Sequence, residues 1–73
     1  MKKLSDLSPG DRGRVTRMGG DPEALRRLME MGLMRGTAVE VVRRAPLGDP
    51  LEVKVRGFML TLRRSEAEHI EVE

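Results

Sequence analysis

The segment Ala45-Pro46-Leu47-Gly48-Asp49-Pro50-Leu51-Glu52-Val53-Lys54-Val55-Arg56-Gly57-Phe58-Met59-Leu60-Thr61-Leu62 predicts a proline-bounded loop running into a β-hairpin. Leu51, Val53 and Val55 alternate with Glu52, Lys54 and Arg56, while Phe58, Leu60 and Leu62 alternate with Met59 and Thr61. A period of two places each set on one face of its strand. Closing the hairpin over Arg56-Gly57 sets Val55 against Phe58, Val53 against Leu60 and Leu51 against Leu62, so every inward pair is apolar. Register and one buried face follow together. The loop tip, Leu47, is left among turn formers where solvent or a partner reaches it.

Outward from the hairpin, shorter signals fill in the chain. Leu4 to Leu7 reads as an extended lead-in, and Ser8-Pro9-Gly10-Asp11 as a β-turn. Gly13 to Met18 is the first main strand; Val15 and Met18 have opposite parity, which predicts a bulge or an early end near Arg17. Gly19-Gly20 breaks it. Asp21-Pro22-Glu23 then starts a helix with an Asp N-cap, Pro at the first helical position and an acidic first turn. Leu25, Leu28, Met29 and Leu33 define its buried stripe, and Gly32 its left-handed cap, with Leu33 folding back onto Leu28. Arg35-Gly36-Thr37 turns into a second long strand, Ala38 to Ala45, with Val39 and Val41 inward. Ser65-Glu66-Ala67-Glu68 has the form of a capping box opening a single helical turn, and Ile70 and Val72 mark a final strand.

The pattern is mainly β: a small five-stranded SH3-like barrel, with one helix inserted between the first and second main strands and a short helical turn before the last. It predicts one domain over residues 1–73. A chain of 73 residues buries only about 60% of its unfolded surface, which leaves little room for a deep catalytic cleft. Cysteine is absent, which removes disulfides, thiolate metal sites and cysteine nucleophiles and suggests the reducing cytoplasm. No apolar run approaches membrane-spanning length, so direct membrane insertion is not expected. Fourteen basic and twelve acidic residues leave a net charge of +2, too small for strong long-range attraction to nucleic acid. Asn, Gln and Cys are missing while charged residues reach 36%, a thermophile-like composition that an unfolding midpoint in the mesophilic range would contradict.

Taken in order, Ser8-Pro9-Gly10-Asp11, Leu25 to Met29, Met31-Gly32-Leu33, Gly36-Thr37, the Ala45 to Pro50 loop, Leu60-Thr61-Leu62-Arg63-Arg64-Ser65-Glu66-Ala67 and Ile70-Glu71-Val72 resemble the FeoA family of small ferrous iron transport proteins. The resemblance runs from Leu4 to Val72 and departs at Arg35, where the family often has proline. It implies an SH3-like barrel that assists FeoB, a membrane ferrous-iron transporter with a cytosolic GTP-binding domain. The implied role is a cytosolic accessory, peripheral to the inner membrane through docking on that domain or on the transporter's cytoplasmic face.

The residues themselves argue for binding rather than catalysis. The sole imidazole, His69, has no nucleophile arranged beside it, and the hydroxyls of Ser8, Thr37 and Ser65 belong to turns and caps. A phosphate-binding Gly-x-x-x-x-Gly-Lys loop is absent, and nothing calls for a cofactor. The weak metal candidates are His69 and Glu66, without a second His or any Cys beside them. An alternative of a different class is a small barrel binding nucleic acid through Arg12, Arg14 and Arg17, Arg43-Arg44 and Arg63-Arg64. It lacks a stacking platform, since the one aromatic, Phe58, is assigned to the inward hairpin face. The predicted partner surface comprises Met31, Met34 and Leu47, with Leu28 beneath and Arg26, Arg27 and Arg35 as a basic rim. Self-association through the same patch stays open.

Overall fold

The computed structural model describes residues 2–73. Strands β1 (Lys2–Lys3), β2 (Arg12–Met18), β3 (Ala38–Arg44), β4 (Leu51–Val55), β5 (Phe58–Leu62) and β6 (Ile70–Val72) are joined by helix α1 (Pro22–Glu30), helix α2 (Arg64–Ala67) and a 3₁₀ turn over Leu4–Asp6. The strands form one antiparallel sheet in the order β1-β6-β2-β3-β4-β5. It has six strands rather than five, because Lys2 and Lys3 pair with Val72 and Glu71. Two residues without alternation leave no periodic trace in the sequence.

The hairpin has the predicted register, with Leu51 opposite Leu62, Val53 opposite Leu60 and Val55 opposite Phe58. Arg56 and Gly57 both have positive φ, 52° and 88°, the two-residue turn whose twist matches that of its strands. The inward residues of β4 and β5 are buried except Phe58, which is 44% exposed. Its partner Val55 is fully buried, so the exposure belongs to the larger ring, which reaches out to lie against Gly32. The bulge expected in β2 falls between Val15 and Arg17, which lets both Val15 and Met18 face the core. A second bulge, between Val41 and Arg43 of β3, turns Val42 outward.

Asp21 caps α1 as expected, its carboxylate accepting the Ala24 N–H at 3.0 Å. At the other end Gly32 adopts φ 97°, and the Leu33 N–H donates to the Leu28 carbonyl at 3.0 Å. The predicted stripe is corrected at one position: Leu28 and Leu33 are buried and Leu25 half-buried, but Met29, about 100° round the helix from Leu28, is 46% exposed.

The Leu4–Leu7 segment is not extended. A three-residue turn puts Leu4 and Leu7 on one face, and both are buried. The Asp6 carboxylate accepts the Lys3 N–H, and the Arg44 guanidinium donates to the carbonyls of Ser5 and Leu7. Helix α2 also starts earlier than predicted. Its N-cap is Arg63, not Ser65, because Glu66 reaches back to accept the Arg63 N–H at 2.8 Å.

Candidate functional site

Helix α1 lies alongside the sheet with its ends in different surroundings. Its first turns face α2 and the end of β5 across an open cleft of about 770 Å³ whose wall includes Ala24, Arg27, Thr61 and Glu66. There Arg27 Nη2 donates to both Glu66 carboxylate oxygens, at 2.8 and 2.9 Å. Burial pushes the Glu66 carboxyl up, but the hydrogen bonds from Arg27 and the Arg63 N–H, with the charges of both arginines, outweigh it and hold the pKa below the ordinary value. Glu66 is thus committed to an ion pair. His69 is exposed, its ring against the backbone of Gly20, and among the described residues no three His, Cys, Asp or Glu side chains are grouped to hold a metal ion.

The C-terminal end of α1 meets the tip of the β4–β5 hairpin. Gly32 lies against the Phe58 ring and the Arg56 side chain, where an added Cβ would sit 3.6 and 3.8 Å from them. Met31 precedes it, 38% exposed, with its sulfur 3.8 Å from Arg27 Nη1. Met34 is half-buried in the turn that follows, its carbonyl accepting the Thr37 N–H, and Arg35 beside it is exposed. Around Gly32, Met31 and the Phe58 ring thus expose apolar surface, with Arg56 beside Phe58 and Arg27 beside Met31, while Met34 and Arg35 follow in the next turn. Among the described residues neither Arg35 nor Arg56 has a carboxylate partner.

Of the residues predicted for the partner surface, Met31 and Arg27 are in contact, and Met34 and Arg35 follow in the turn after Gly32. Leu28 lies underneath, buried at 2%, and Arg26 faces outward, paired with Glu30 at 3.7 Å. Leu47, 92% exposed, belongs elsewhere. Strand β3 runs from the Met34–Thr37 turn to the Leu47 loop, and seven residues at about 3.3 Å each put the two ends roughly 20 Å apart. Phe58 and Arg56 were missed by sequence reasoning. The available signal was their place at the hairpin tip, where a ring as large as that of Phe58 extends past the buried Val55.

The arginine clusters that suggested nucleic acid are largely occupied. Arg12 and Arg43 pair with Glu40 and Glu52, Arg64 pairs with Glu68, and Arg14 and Arg44 donate to backbone carbonyls. The fold is that of a small β-barrel whose one aromatic, Phe58, is exposed beside Arg56 rather than inward, a single ring where stacking successive bases needs several.

Comparison with known proteins makes this specific. The FeoA domain family matches residues 2–73, and the chain belongs to that family. A curated relative from Porphyromonas gingivalis, a fusion of Fe(2+) transport protein A with the Fe(2+) transporter FeoB, is 38% identical over 71 residues. Those residues are 97% of this chain and 8% of the fusion protein, so the chain spans a small fraction of that relative's length. The solution structure of FeoA from Chlorobium tepidum is similar with a TM-score of 0.94 and 53% identity, over 99% of this chain and 69% of that one. FeoA of Stenotrophomonas maltophilia, crystallised with zinc and described as a prokaryotic SH3 domain protein, has a TM-score of 0.84 and 31% identity, over 100% of this chain and 91% of that one. The barrel is SH3-like, as its strand pattern predicts.

Proposed function

We propose that this chain is a non-enzymatic accessory of ferrous iron uptake that docks on a FeoB-type transporter, at its GTP-binding domain or cytoplasmic face. The observation that carries this is the exposed apolar surface of Met31 and Phe58 about Gly32, with Arg56 beside it and, like the exposed Arg35 of the next turn, without a carboxylate partner among the described residues. Adaptable methionine and a rigid ring supply apolar contact, and free guanidinium groups speed encounter with an acidic surface. The fused relative supports the pairing, since its single chain holds both proteins close together. No described helix is long and apolar enough to cross a membrane, so attachment to one falls to the partner.

The test is titration of the protein against the cytosolic GTP-binding domain of a FeoB-type transporter, with and without guanine nucleotide, at two salt concentrations. An RNA duplex serves as competitor class. The expected result is saturable, modestly salt-sensitive binding to the protein domain that the double variant Met31→Glu, Phe58→Glu abolishes while remaining folded. Binding to RNA alone, collapsing with salt, overturns the proposal.

A further inference from the structure

The sheet ends on two edges that are treated very differently. Strand β1 is two residues long and both are lysine, a guarded edge. Strand β5 is five residues, Phe58-Met59-Leu60-Thr61-Leu62, with no charge, no proline and no bulge. Its outer-face side chains, Met59 and Thr61, are exposed. Among the described residues its only ladder is to β4, and no backbone hydrogen bond reaches it from any other element.

Hairpin geometry fixes which groups are free. A two-residue turn makes Val55 and Phe58 a hydrogen-bonded pair, so Val53–Leu60 and Leu51–Leu62 are hydrogen-bonded pairs as well. The N–H and C=O groups of Met59 and Thr61 therefore point away from β4. Beyond them, toward the end of β5, lies the open cleft under α1.

Charge then selects the occupant. The edge is bracketed by Arg56 before it and Arg63 after it; among the described residues neither guanidinium is held in a salt bridge, although the Arg63 charge is felt by Glu66. A second copy pairing antiparallel about Leu60 would bring the Arg56-Gly57 turn of each molecule to the Arg63 end of the other's β5, positive toward positive, which disfavours that symmetric dimer.

We propose that β5 accepts an extended segment of the docking partner as a seventh strand, held through the backbone of Met59 and Thr61, and that this segment is apolar and β-forming in its middle and acidic at both ends. The proposal rests on the docking reading for the existence of a partner, and adds how that partner is held.

The probe is a synthetic peptide, Asp-Glu-Val-Thr-Val-Thr-Glu-Asp, added to the full chain, with a version carrying proline in place of its threonines as control. The peptide should bind saturably, slow amide hydrogen exchange at Met59 and Thr61 while leaving the already bonded Leu60 unchanged, and weaken about tenfold in Met59→Pro, which loses one outward donor. Exchange on the unaltered protein keeps the test decisive if that variant folds poorly. Equal binding of the proline control, or no protection at Met59 and Thr61, overturns the edge-strand proposal. If the transporter domain still binds under those outcomes, only the mode of holding fails; if neither binds, docking itself fails. Concentration-dependent dimerisation with protection at the same two amides replaces the partner segment with a second copy.

Discussion

Removing the Glu66 carboxylate should destabilise the fold by detaching α1 from α2. Glu66 accepts two hydrogen bonds from Arg27 and one from the Arg63 N–H, so one side chain both caps α2 and ties it to α1. The cap contributes about 1 kcal/mol. The ion pair, with the Arg27 side chain 46% exposed, adds at most about 1 kcal/mol once solvent screening is allowed for. Glu66→Ala should therefore cost about 1–2 kcal/mol, a fall of roughly 5–15 °C in the unfolding midpoint of a domain this small. Glu66→Gln keeps an oxygen for the Arg63 N–H and should cost about half as much. The sign with pH follows from a folded pKa held below the unfolded one. The carboxylate's contribution is present above the unfolded pKa and is lost as pH falls through the folded one, so wild type and Glu66→Gln should converge in acid. Thermal unfolding followed by circular dichroism at neutral and acid pH measures this. Equal midpoints at neutral pH, or a gap that persists unchanged in acid, would refute the reasoning.

Leu28→Ala should cost about 2–5 kcal/mol by leaving a cavity in the core, whereas Leu47→Glu should change stability by less than about 0.5 kcal/mol; denaturant unfolding separates core from surface here. Gly32→Ala should cost about 1 kcal/mol through strain at positive φ alone, since its Cβ would meet Phe58 at ordinary contact distance, and double-mutant analysis with Phe58→Ala should show little coupling. Arg44→Leu should leave the Ser5 and Leu7 carbonyls without their donor, raising amide exchange across residues 2–7 before any other segment and costing about 1–3 kcal/mol.

What the sequence disclosed depended on the range over which each feature is determined. The β4–β5 hairpin was legible because strict alternation and an Arg-Gly turn are local, and together they admit one register. The start and stop of α1 were legible for the same reason: Asp21, Pro22 and Gly32 act within one turn of themselves. Met29 misled because apolar spacing does not tell which side of Leu25 the buried face lies on, and Leu28, about 100° from Met29, marks its centre. The Leu4-Leu7 spacing of three suits a 3₁₀ turn, but its stabilising partner, Arg44, lies 37 to 39 residues away. The candidate site shows the same division. Met31, Met34 and Arg35 are close in sequence and close in space. Leu47 was grouped with them on chemistry, and the seven residues of β3 separate them. Glu66, proposed for metal, had its binding capacity taken by Arg27 from 39 residues away.

The pairing of Lys2 with Val72 has a consequence for how such a barrel is carried. Both ends of the described chain leave from one corner, at the β1–β6 side of the sheet. A tether attached at either end therefore pulls on the same point, and the barrel can hang from a larger polypeptide like a pendant without its strands being stretched apart. In the sheet order that corner is at the far edge from β5. A tether at either end is thus joined to β1 or β6, and the edge strand β5, to which neither end belongs, carries no attachment.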